Sequence, residues 1–384
     1  MLPAYFLIFI IYYPAVAIPQ ASSWFPSLSE HLWPSRSLYV ASGNSINYNP
    51  NGSSFLWLPQ DSYSGQTFFD LWDFFTGADP TNGQVNYVNE TVARQTGLVY
   101  VQDNGIVIMK ADNTTSLASG VYRNSVRISS QAQYNTGLFI LDLNRAPWGC
   151  AVWPAFWTVG GNWPYDGEVD IIEGVHDNEH NQVAWHTAPG CTLDTTANFT
   201  GTISSSDGVN HTDCNAFINS NSGCGMTEWS RASYGPYFDS QGGGVFAMKW
   251  DENSIAIWSF YRVAIPKDVI AGTPNPSGWG APSAVLEPSD CNLGQLFANH
   301  SIVFDITLCG DWAGNSYATS GCPGTCEQRL MDPANFQNAS WSINSLKVYR
   351  KVLLSARVTN SVTSKLTMEF TTLYLMILLG GLLL

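Results

Sequence analysis

Short apolar segments separated by Gly, Pro, Asn and Ser follow one another through the middle of the chain, between about residues 20 and 355. In several of them apolar and polar positions alternate, which is typical of strands with one buried face. Asp251–Ser254 lies between two such segments and predicts a four-residue hairpin loop. The segments that we expect to form strands are Ile106–Met109, Leu138–Leu143, Val245–Trp250, Ile255–Tyr261, Ile302–Leu308 and Trp341–Tyr349.

A helical repeat is missing from the same region. No stretch longer than about ten residues has apolar positions spaced for one face of a capped helix. No linker or internal repeat divides the region either. The pattern therefore predicts one all-β domain over residues 18–355, built as a two-sheet antiparallel β-sandwich. Curved sheets of this kind have a concave face, where aromatic side chains can line a cleft.

The N-terminus differs from this middle region. Met1–Ala17 has no charged side chain, and its apolar run ends at Ala15-Val16-Ala17, the small-x-small pattern at which signal peptidase cleaves. A membrane anchor is the alternative, but the stretch is shorter than the about 20 apolar residues that span a bilayer. We expect residues 1–17 to be a cleaved signal peptide.

The C-terminus ends in a second apolar run, Leu373–Leu384, which contains no charged residue. A polar spacer, Thr363–Glu369, precedes it, and small residues around Asn360-Ser361 precede the spacer. Small residues, spacer and apolar tail are the layout of a glycosylphosphatidylinositol (GPI) anchor signal, with a short tail anchor as the alternative. We expect residues 356–384 to be such a spacer and tail, and the protein to meet a membrane only through the lipid.

The charge and the aromatic content of the chain indicate which kinds of partner it can bind. Sixteen Lys and Arg stand against 30 Asp and Glu, giving a net charge of −14, and only 12% of residues are charged. An acidic chain without a Lys/Arg cluster repels phosphate backbones, so nucleic acid is excluded as a partner. The aromatic residues, 19 Phe, 17 Tyr and 15 Trp, are numerous enough that some must also reach the surface.

Cysteines and glycosylation motifs agree with secretion. Eight cysteines, an even number, lie between Cys150 and Cys326, which predicts disulfides of undetermined connectivity. Zinc binding at Cys322–Cys326 is the alternative, but an oxidising compartment disfavours it. We expect an extracellular, monomeric protein, tethered at the cell surface or wall. Asn-x-Ser/Thr sequons occur at Asn51, Asn89, Asn113, Asn198, Asn210, Asn299 and Asn338.

Three carboxylates interrupt a β-branched, strand-like sequence at Glu168, Asp170 and Glu173. In a regular strand Glu168 and Asp170 point to one face and Glu173 to the other. A β-bulge around Ile171-Ile172 would return Glu173 to the first face. A solvent-facing strand with scattered acids is the alternative, but the flanks are apolar and clustered carboxylates repel one another. Two carboxyl groups about 5–5.5 Å apart are what a retaining glycosidase requires.

The segment Glu168–Glu173, preceded by Trp-Pro-Ala-Phe-Trp, resembles the signature of family 16 glycoside hydrolases, in the laminarinase-like branch with the bulged motif. Further segments resemble fungal secreted endo-β-1,3(4)-glucanases, and the similarity covers about residues 35 to 350. The resemblance implies a jelly-roll, concanavalin-like sandwich with a substrate cleft. The further segments are Thr67–Phe75, Asp79–Tyr87, Ser125–Ile128, Trp185–Cys191 and Leu308–Gly314.

The resemblance also implies roles for the three carboxylates. Glu168 would be the nucleophile, and Glu173 would protonate the leaving oxygen and then deprotonate the incoming water. Asp170 lies between them, where its negative charge would raise the pKa of a neighbouring glutamate. Hydrolysis of this kind needs no organic cofactor and no metal. We therefore expect neither.

Five further residues are candidates for binding substrate. Trp157, Trp163 and Trp312 offer indole faces for sugar rings, and a place in the core is the alternative for each. His186 resembles a family residue near the leaving-group side of the cleft, and a structural histidine is the alternative. Arg127 matches an arginine that hydrogen-bonds the glycan, and an ion pair is the alternative. The tryptophans that we expect in the core are Trp153, Trp72 and Trp341.

Two other motifs resemble known ion-binding sites only in part. His176–His180 has two histidines four residues apart, but Asp177 stands where the zinc motif H-E-x-x-H requires Glu. Gly242–Gly244 precedes a strand without the helix or basic residue that a phosphate cradle needs. Neither motif predicts a bound ion.

The expected function is retaining hydrolysis of β-1,3 or mixed β-1,3/1,4 glucan, with the polysaccharide as partner. A cell-wall transglycosylase on the same fold is the first alternative, since a sugar hydroxyl can intercept the intermediate in place of water. Related transglycosylases tend to have a shorter E-x-D-x-E spacing, so the extra isoleucine favours hydrolysis. A glucan-binding lectin is the second alternative, and it would not need both glutamates.

Overall fold

The computed structural model describes residues 45–206 and 208–354. The predicted signal peptide and C-terminal tail lie outside these residues. The strands are β1 Asn47–Tyr48, β2 Ser54–Tyr63, β3 Trp72–Phe74, β4 Val85–Tyr87, β5 Val99–Val101, β6 Val107–Lys110, β7 Arg123–Ser125, β8 Arg127–Tyr134, β9 Gly137–Arg145, β10 Val152–Val159, β11 Glu168–Glu173, β12 Gln182–His186, β13 Thr202–Ile203, β14 Ser205–Ser206, β15 Val209–Asn210, β16 Cys224–Thr227, β17 Gly244–Asp251, β18 Ser254–Tyr261, β19 Ala284–Leu286, β20 His300–Leu308 and β21 Ser340–Leu353.

Two large antiparallel sheets contain most of these strands. One sheet has the order β1-β2-β21-β9-β17-β18-β19, with β6 pairing to β21 and β5 to β6. The other, which we call the cleft sheet, has the order β13-β16-β12-β11-β10-β20-β8-β3. Both sheets are curled. The predicted all-β sandwich is therefore confirmed.

Aromatic side chains join the two sheets in the core. Phe156 on β10 stacks on Phe304 on β20, with ring centroids 4.6 Å apart. Phe304 in turn packs edge-on against Trp341 of the opposite sheet, at 5.3 Å. Trp341 and Trp72 are buried, as expected from the sequence. Burying such rings stabilises a fold by about 25 cal/mol for each Å² of apolar surface removed from water.

The strands predicted from alternation are all present, with ends that differ by a few residues. The hairpin at Asp251–Ser254 is present too, but its loop is shorter than predicted. Asp251 and Ser254 pair across the two strands, so that Glu252 and Asn253 alone form the loop. The Asp251 carboxylate accepts hydrogen bonds from the backbone amides of Asn253 and Ser254, which lets the strands continue one residue further on each side.

Helices are short and lie between strands. Asn89 caps α1 by accepting a hydrogen bond from the Val92 amide, and Thr325 and Gln328 form a capping box on α5. Of the residues that the structure describes, none belongs to a helix long and apolar enough to cross a membrane. The α-helices are α1 Glu90–Gln95, α2 Gly235–Ser240, α3 Lys267–Ile270, α4 Leu293–Leu296 and α5 Cys326–Arg329; 3-10 turns span Gly65–Leu71, Asn219–Asn221, Arg262–Ala264, Pro276–Gly278, Tyr317–Thr319 and Pro333–Phe336, and a π-helical turn spans Gly310–Gly314.

All eight cysteines pair, which confirms the disulfides expected from their even number. The zinc alternative for Cys322–Cys326 is wrong, because each of these two cysteines is bonded to a different partner. The pairs are Cys150–Cys322, Cys191–Cys291, Cys214–Cys224 and Cys309–Cys326.

Candidate active site

Between Asp170 and Glu173, strand β11 has one extra residue relative to each of the strands that it pairs with. Asp170 pairs with Ala184 and Glu173 with Gln182, so three steps on β11 match two on β12. Against β10, Trp157 pairs with Asp170 and Phe156 with Ile172, which leaves Ile171 unmatched. The bulge lies where the spacing of the carboxylates predicted it.

The bulge brings Glu173 to the face that also carries Glu168 and Asp170. Residues paired directly across antiparallel strands point to the same side. Glu168, Asp170 and Glu173 pair with Val159, Trp157 and Ala155, which are two residues apart along β10, so the three carboxylates lie on one face. Asp305, which also pairs with Ala155, lies on the same face. Ile171 and Ile172 are both buried in the core. We call the opposite, carboxylate-bearing side of this sheet the cleft face.

Glu173 is held by an indole. Trp153 on β10 donates a hydrogen bond from Nε1 to Glu173 Oε1 over 2.7 Å. Burial, and next the charge of Asp170, raise the pKa of Glu173 well above its usual range, while the Trp153 hydrogen bond acts in the opposite sense. The prediction that Trp153 lies in the core is therefore wrong. Trp153 and Trp157 are four residues apart on a regular strand, so both point to the cleft face.

Glu168, at the other end of β11, is surrounded by more groups that favour its anion. Burial and Asp170 raise its pKa to about 8, but His186, a hydrogen bond from Trp163 and Arg127 all act to lower it. Glu173 has fewer such neighbours. The surroundings of Glu168 therefore favour its ionised form more than those of Glu173 do.

His186 lies opposite Glu168 on β12. Its Nε2 is 3.3 Å from Asp170 Oδ2, and its Nδ1 is 2.9 Å from Asn221 Oδ1, so both ring nitrogens face acceptors. Burial alone lowers the pKa of His186, but the contact with Asp170 and the charges of Glu168 and Asp170 outweigh burial and raise it to about 10. The imidazolium thus balances part of the negative charge of the carboxylate cluster.

Donor atoms of Glu168, Asp170 and His186 all lie within 4.8 Å of one another, a spacing that also suits a metal ion. Asp170 is buried, with 3% of its surface exposed. The positive charge of the imidazolium offsets the repulsion between the two carboxylates, which allows the three groups to lie this close together. The cluster therefore belongs to the same site as the two glutamates.

A second buried carboxylate, Asp305, lies beside the cluster on β20. Trp157 Nε1 donates a hydrogen bond to Asp305 Oδ2 over 3.0 Å. Burial raises the pKa of Asp305 to about 7, while Arg127 lowers it. The Arg127 guanidinium lies 4.9 Å from the Phe75 ring centroid and 5.0 Å from that of Trp157. The structure thus places Trp157 and Arg127 on the cleft face, and Asp305 is a site residue that the sequence prediction missed.

The other predicted aromatic residues lie at the two ends of this face. Trp163 is 42% exposed, next to Glu168. Trp312, in the turn Gly310–Gly314, packs edge-on against Trp153 with ring centroids 5.8 Å apart. Tyr165 and Phe217, which the sequence prediction also missed, form an exposed ring pair 6.1 Å apart on the Trp163 side.

The histidines of the His176–His180 motif have separate structural partners. His176 is buried, and its Nδ1 accepts a hydrogen bond from the Ala151 amide over 3.1 Å. His180 Nδ1 is 2.6 Å from the Glu228 carbonyl oxygen. The two imidazoles thus contact different parts of the chain.

Comparisons with known proteins agree with this geometry. The XgeA-like catalytic domain of glycoside hydrolase family 16 matches residues 72–349. A probable glycosidase of Schizosaccharomyces pombe is 42% identical over 293 residues, covering 75% of this chain and 68% of that protein. A probable endo-1,3(4)-beta-glucanase of Aspergillus fumigatus is 40% identical over 319 residues, covering 79% of this chain. The chain spans 48% of that relative's length.

Two solved structures of family 16 enzymes are also similar to this chain. Laminarinase 16A of family 16 from Phanerochaete chrysosporium, solved with beta-glucans in its donor and acceptor sites, has a TM-score of 0.72 and 37% identity, covering 77% of this chain and 99% of that one. An elongating family 16 beta-1,3-glucosyltransferase has a TM-score of 0.71 and 39% identity, covering 77% and 100%. With its bulged strand and two half-buried glutamates on one face, the chain belongs to glycoside hydrolase family 16.

Proposed function

We propose that the protein is a retaining endo-β-glucanase that hydrolyses β-1,3 or mixed β-1,3/1,4 glucan by double displacement. The observation that carries the proposal is the bulge at Ile171, which brings Glu168 and Glu173 to one face with unequal tendencies to ionise. Relatives named endo-1,3(4)-beta-glucanase and a laminarinase solved with beta-glucans support the substrate class.

In the first step a carboxylate oxygen of Glu168 attacks the anomeric carbon, and the bond from that carbon to the leaving oxygen breaks. Glu173 gives its proton to the leaving oxygen as the bond breaks. In the second step Glu173 takes a proton from water, the water oxygen attacks the anomeric carbon, and the bond to Glu168 breaks. Both glutamates return to their starting protonation states, and the product keeps its anomeric configuration.

The neighbouring charges divide these roles. Asp170 raises the pKa of both glutamates, but the His186 imidazolium, Arg127 and the Trp163 indole favour the anion at Glu168. Glu173 accepts one hydrogen bond, from Trp153. Glu168 thus has two cationic neighbours, His186 and Arg127, whereas Glu173 has His186 alone, which suits Glu168 to the role of nucleophile and Glu173 to that of general acid.

Sugar binding would use the indoles on the cleft face. Trp163 and Trp312 lie at opposite ends of the row of carboxylates, next to Glu168 and to Trp153 respectively. Trp157 lies between them and has its N–H committed to Asp305. An indole face stacks on the C–H face of a pyranose ring, so a glucan chain can contact the protein on both sides of the bond that is cut.

The purified protein incubated with laminarin and lichenan tests the proposal. We expect new reducing ends with retained anomeric configuration, which nuclear magnetic resonance of the first products would show. Preference between the two glucans would give the linkage specificity. An inverted product, or binding without any cleavage, would contradict the proposal, and the second result would favour a glucan-binding lectin.

Transglycosylation is a second candidate, supported by the similarity to an elongating beta-1,3-glucosyltransferase at 39% identity. The same glycosyl-enzyme would form, and a sugar hydroxyl would replace water in the second step. A labelled oligosaccharide acceptor added to the same incubation separates the two activities. Label in longer chains would indicate transfer, and reducing ends without labelled polymer would indicate hydrolysis.

For location, we propose that the mature protein is secreted, glycosylated and held at the cell surface by a C-terminal lipid. The seven sequon asparagines are exposed or half-buried, so an oligosaccharide can reach them, and the four disulfides suit an oxidising compartment. Phosphatidylinositol-specific phospholipase C should release the activity from membranes. Release by high salt instead, or retention of residues 361–384 in the mature protein, would contradict the lipid anchor.

A further inference from the structure

The bulge that positions Glu173 leaves two backbone groups without a partner in the adjacent strand. The extra residue, Ile171, interrupts the pairing of β11 with β12, so the Ile171 carbonyl and the Glu173 amide need other partners. Both find one in the same side chain. Asn181 donates from Nδ2 to the Ile171 carbonyl oxygen over 2.9 Å, and its Oδ1 accepts from the Glu173 amide over 2.9 Å.

The carboxamide of Asn181 thus replaces a peptide unit of the neighbouring strand. It has one acceptor and a donor at the spacing of a backbone amide, and these two groups close the gap in the ladder. Asn181 itself is fully buried, and its own backbone is fixed, with its amide donating to Ser233 Oγ and its carbonyl accepting from the Glu228 amide. Water does not compete for these hydrogen bonds.

A buried carboxyl group sets which way the carboxamide points. The second hydrogen of Asn181 Nδ2 faces Glu228 Oε1 at 3.2 Å. The hydroxyls of Ser259 and Ser283 donate to Glu228 Oε2, so this carboxyl can serve as an acceptor toward Asn181. If the carboxamide flipped, its oxygen would face the oxygens of Ile171 and Glu228. The flipped orientation is therefore disfavoured.

We propose that Asn181 is a positioning residue for the general acid: it holds the bulge in place and so directs the Glu173 carboxyl into the cleft. A slip of one residue on β11 would turn the Glu173 side chain toward the core and an isoleucine toward the cleft. Asn181 does not touch substrate, and its effect passes through the backbone of residues 171–173. The inference rests on the proposed function, since it concerns the acid of that reaction.

The test compares two substrates that differ in their need for an acid. Laminarin has a sugar leaving group that must be protonated, whereas 2,4-dinitrophenyl β-laminaribioside has a leaving group that departs without help. For Asn181→Ala we expect kcat/KM to fall by about 10²-fold on laminarin and by less than about 10-fold on the aryl substrate. Asn47→Ala, at a buried asparagine on β1 of the other sheet, is the control and should match the wild type.

An equal fall on both substrates, or no fall, would overturn the proposal. If Asn181→Ala does not fold, the nearly isosteric Asn181→Asp decides, because it keeps the acceptor for the Glu173 amide and loses the donor to Ile171. Loss of the folded state in both variants would assign Asn181 to stability and overturn the positioning role. A wild-type protein that cleaves neither substrate would instead refute the proposed function, and the inference with it.

Discussion

Two buried histidines lie on opposite faces of the cleft sheet, and their pKa values move in opposite directions. His186 on the cleft face meets Asp170 and Glu168, and its pKa is raised to about 10. His300 on the core face meets the Thr158 hydroxyl at 2.8 Å and the Asp166 carbonyl oxygen at 2.7 Å, and burial lowers its pKa to about 4. Burial by itself acts to lower the pKa of both histidines. The carboxylates beside His186 outweigh this effect, whereas the hydroxyl and the carbonyl oxygen in contact with His300 are neutral.

The core face and the cleft face of this sheet differ in the same way as the two histidines do. On the core face, neutral hydrogen bonds and aromatic packing exclude charge, which stabilises the fold. On the cleft face, carboxylates with raised pKa values are kept close together, which opposes folding at neutral pH and serves chemistry. We therefore expect substitutions on the cleft face to change activity more than stability, and substitutions on the core face to do the reverse.

The largest expected effect concerns the two glutamates. Glu168→Gln and Glu173→Gln should each lower kcat on laminarin by at least ~10²-fold. Because burial raises the pKa of both carboxyl groups, neutral glutamine should leave the melting temperature unchanged or higher at pH 7. Thermal unfolding and laminarin turnover measure the two quantities. Near wild-type turnover in either variant would refute the mechanism.

The same pair of variants should respond differently to the leaving group. Glu173→Gln should retain most of the kcat/KM of the wild type on 2,4-dinitrophenyl β-laminaribioside, because this step needs no acid. Glu168→Gln should lose activity on both substrates, because it lacks the nucleophile. The opposite pattern would exchange the roles of the two residues.

A large effect on stability is expected at His300, on the core face. Its folded-state pKa of about 4 lies below the unfolded value of about 6.5, so the unfolded chain binds the proton first. Stability from this group is complete above pH 6.5 and is lost as the pH falls toward 4, by about 3 kcal/mol. In His300→Gln the free energy of unfolding should fall less between pH 7 and pH 4, as urea titrations at both pH values would show. A variant with the wild-type acid dependence would contradict this assignment.

A moderate effect is expected at Trp163, which is exposed on the cleft side. Trp163→Ala should raise KM for laminarin by about 3- to 10-fold, because it removes an aromatic face worth about 0.5–1.5 kcal/mol. Trp163→Phe keeps a ring and should recover most of that loss. Tyr48→Ala, at an exposed aromatic on β1 of the other sheet, is the control. Equal KM values for all four proteins would remove Trp163 from the binding surface.

The smallest effect is a shift in pH dependence. His186→Gln removes a positive charge beside Glu168, so the pKa of Glu168 should rise and the acid limb of kcat/KM should move to higher pH by about one unit. Asn221→Ala removes only the hydrogen bond to Nδ1 and should shift the limb less, in the same direction. A shift to lower pH in either variant would contradict the charge assigned to His186.

Much of this arrangement could be predicted from the sequence. Strand alternation is a local signal, and it led to the sandwich. The spacing of Glu168, Asp170 and Glu173 predicts the bulge, because all three side chains lie on one face of the strand only if the strand has an extra residue between Asp170 and Glu173. The same parity argument applied to β10 would have moved Trp153 into the cleft together with Trp157.

Other features depend on contacts between distant parts of the chain. Asp305 looks like any acid in a strand until its neighbours Trp157 and Arg127 are known. Asn181 lies just before β12, and its importance comes from the bulge on the adjacent strand, which its own sequence context does not show. The hairpin at Asp251 was predicted too long because side-chain hydrogen bonds to the turn cannot be read from residue type alone.

Each of the four disulfides has one cysteine within or beside a strand of the cleft sheet: Cys150 precedes β10, Cys191 follows β12, Cys224 begins β16 and Cys309 follows β20. The Cys214–Cys224 pair encloses Asn221 and Phe217, and the pairs at Cys309 and Cys322 tether the segment with Trp312. The opposite sheet has none. In a reducing cytosol the two sheets could therefore still form the sandwich, but the segments at the rim of the cleft would lack their disulfides. A soluble product would then be poor evidence that the active site is intact. A host with an oxidising folding compartment is the sound choice for every experiment above.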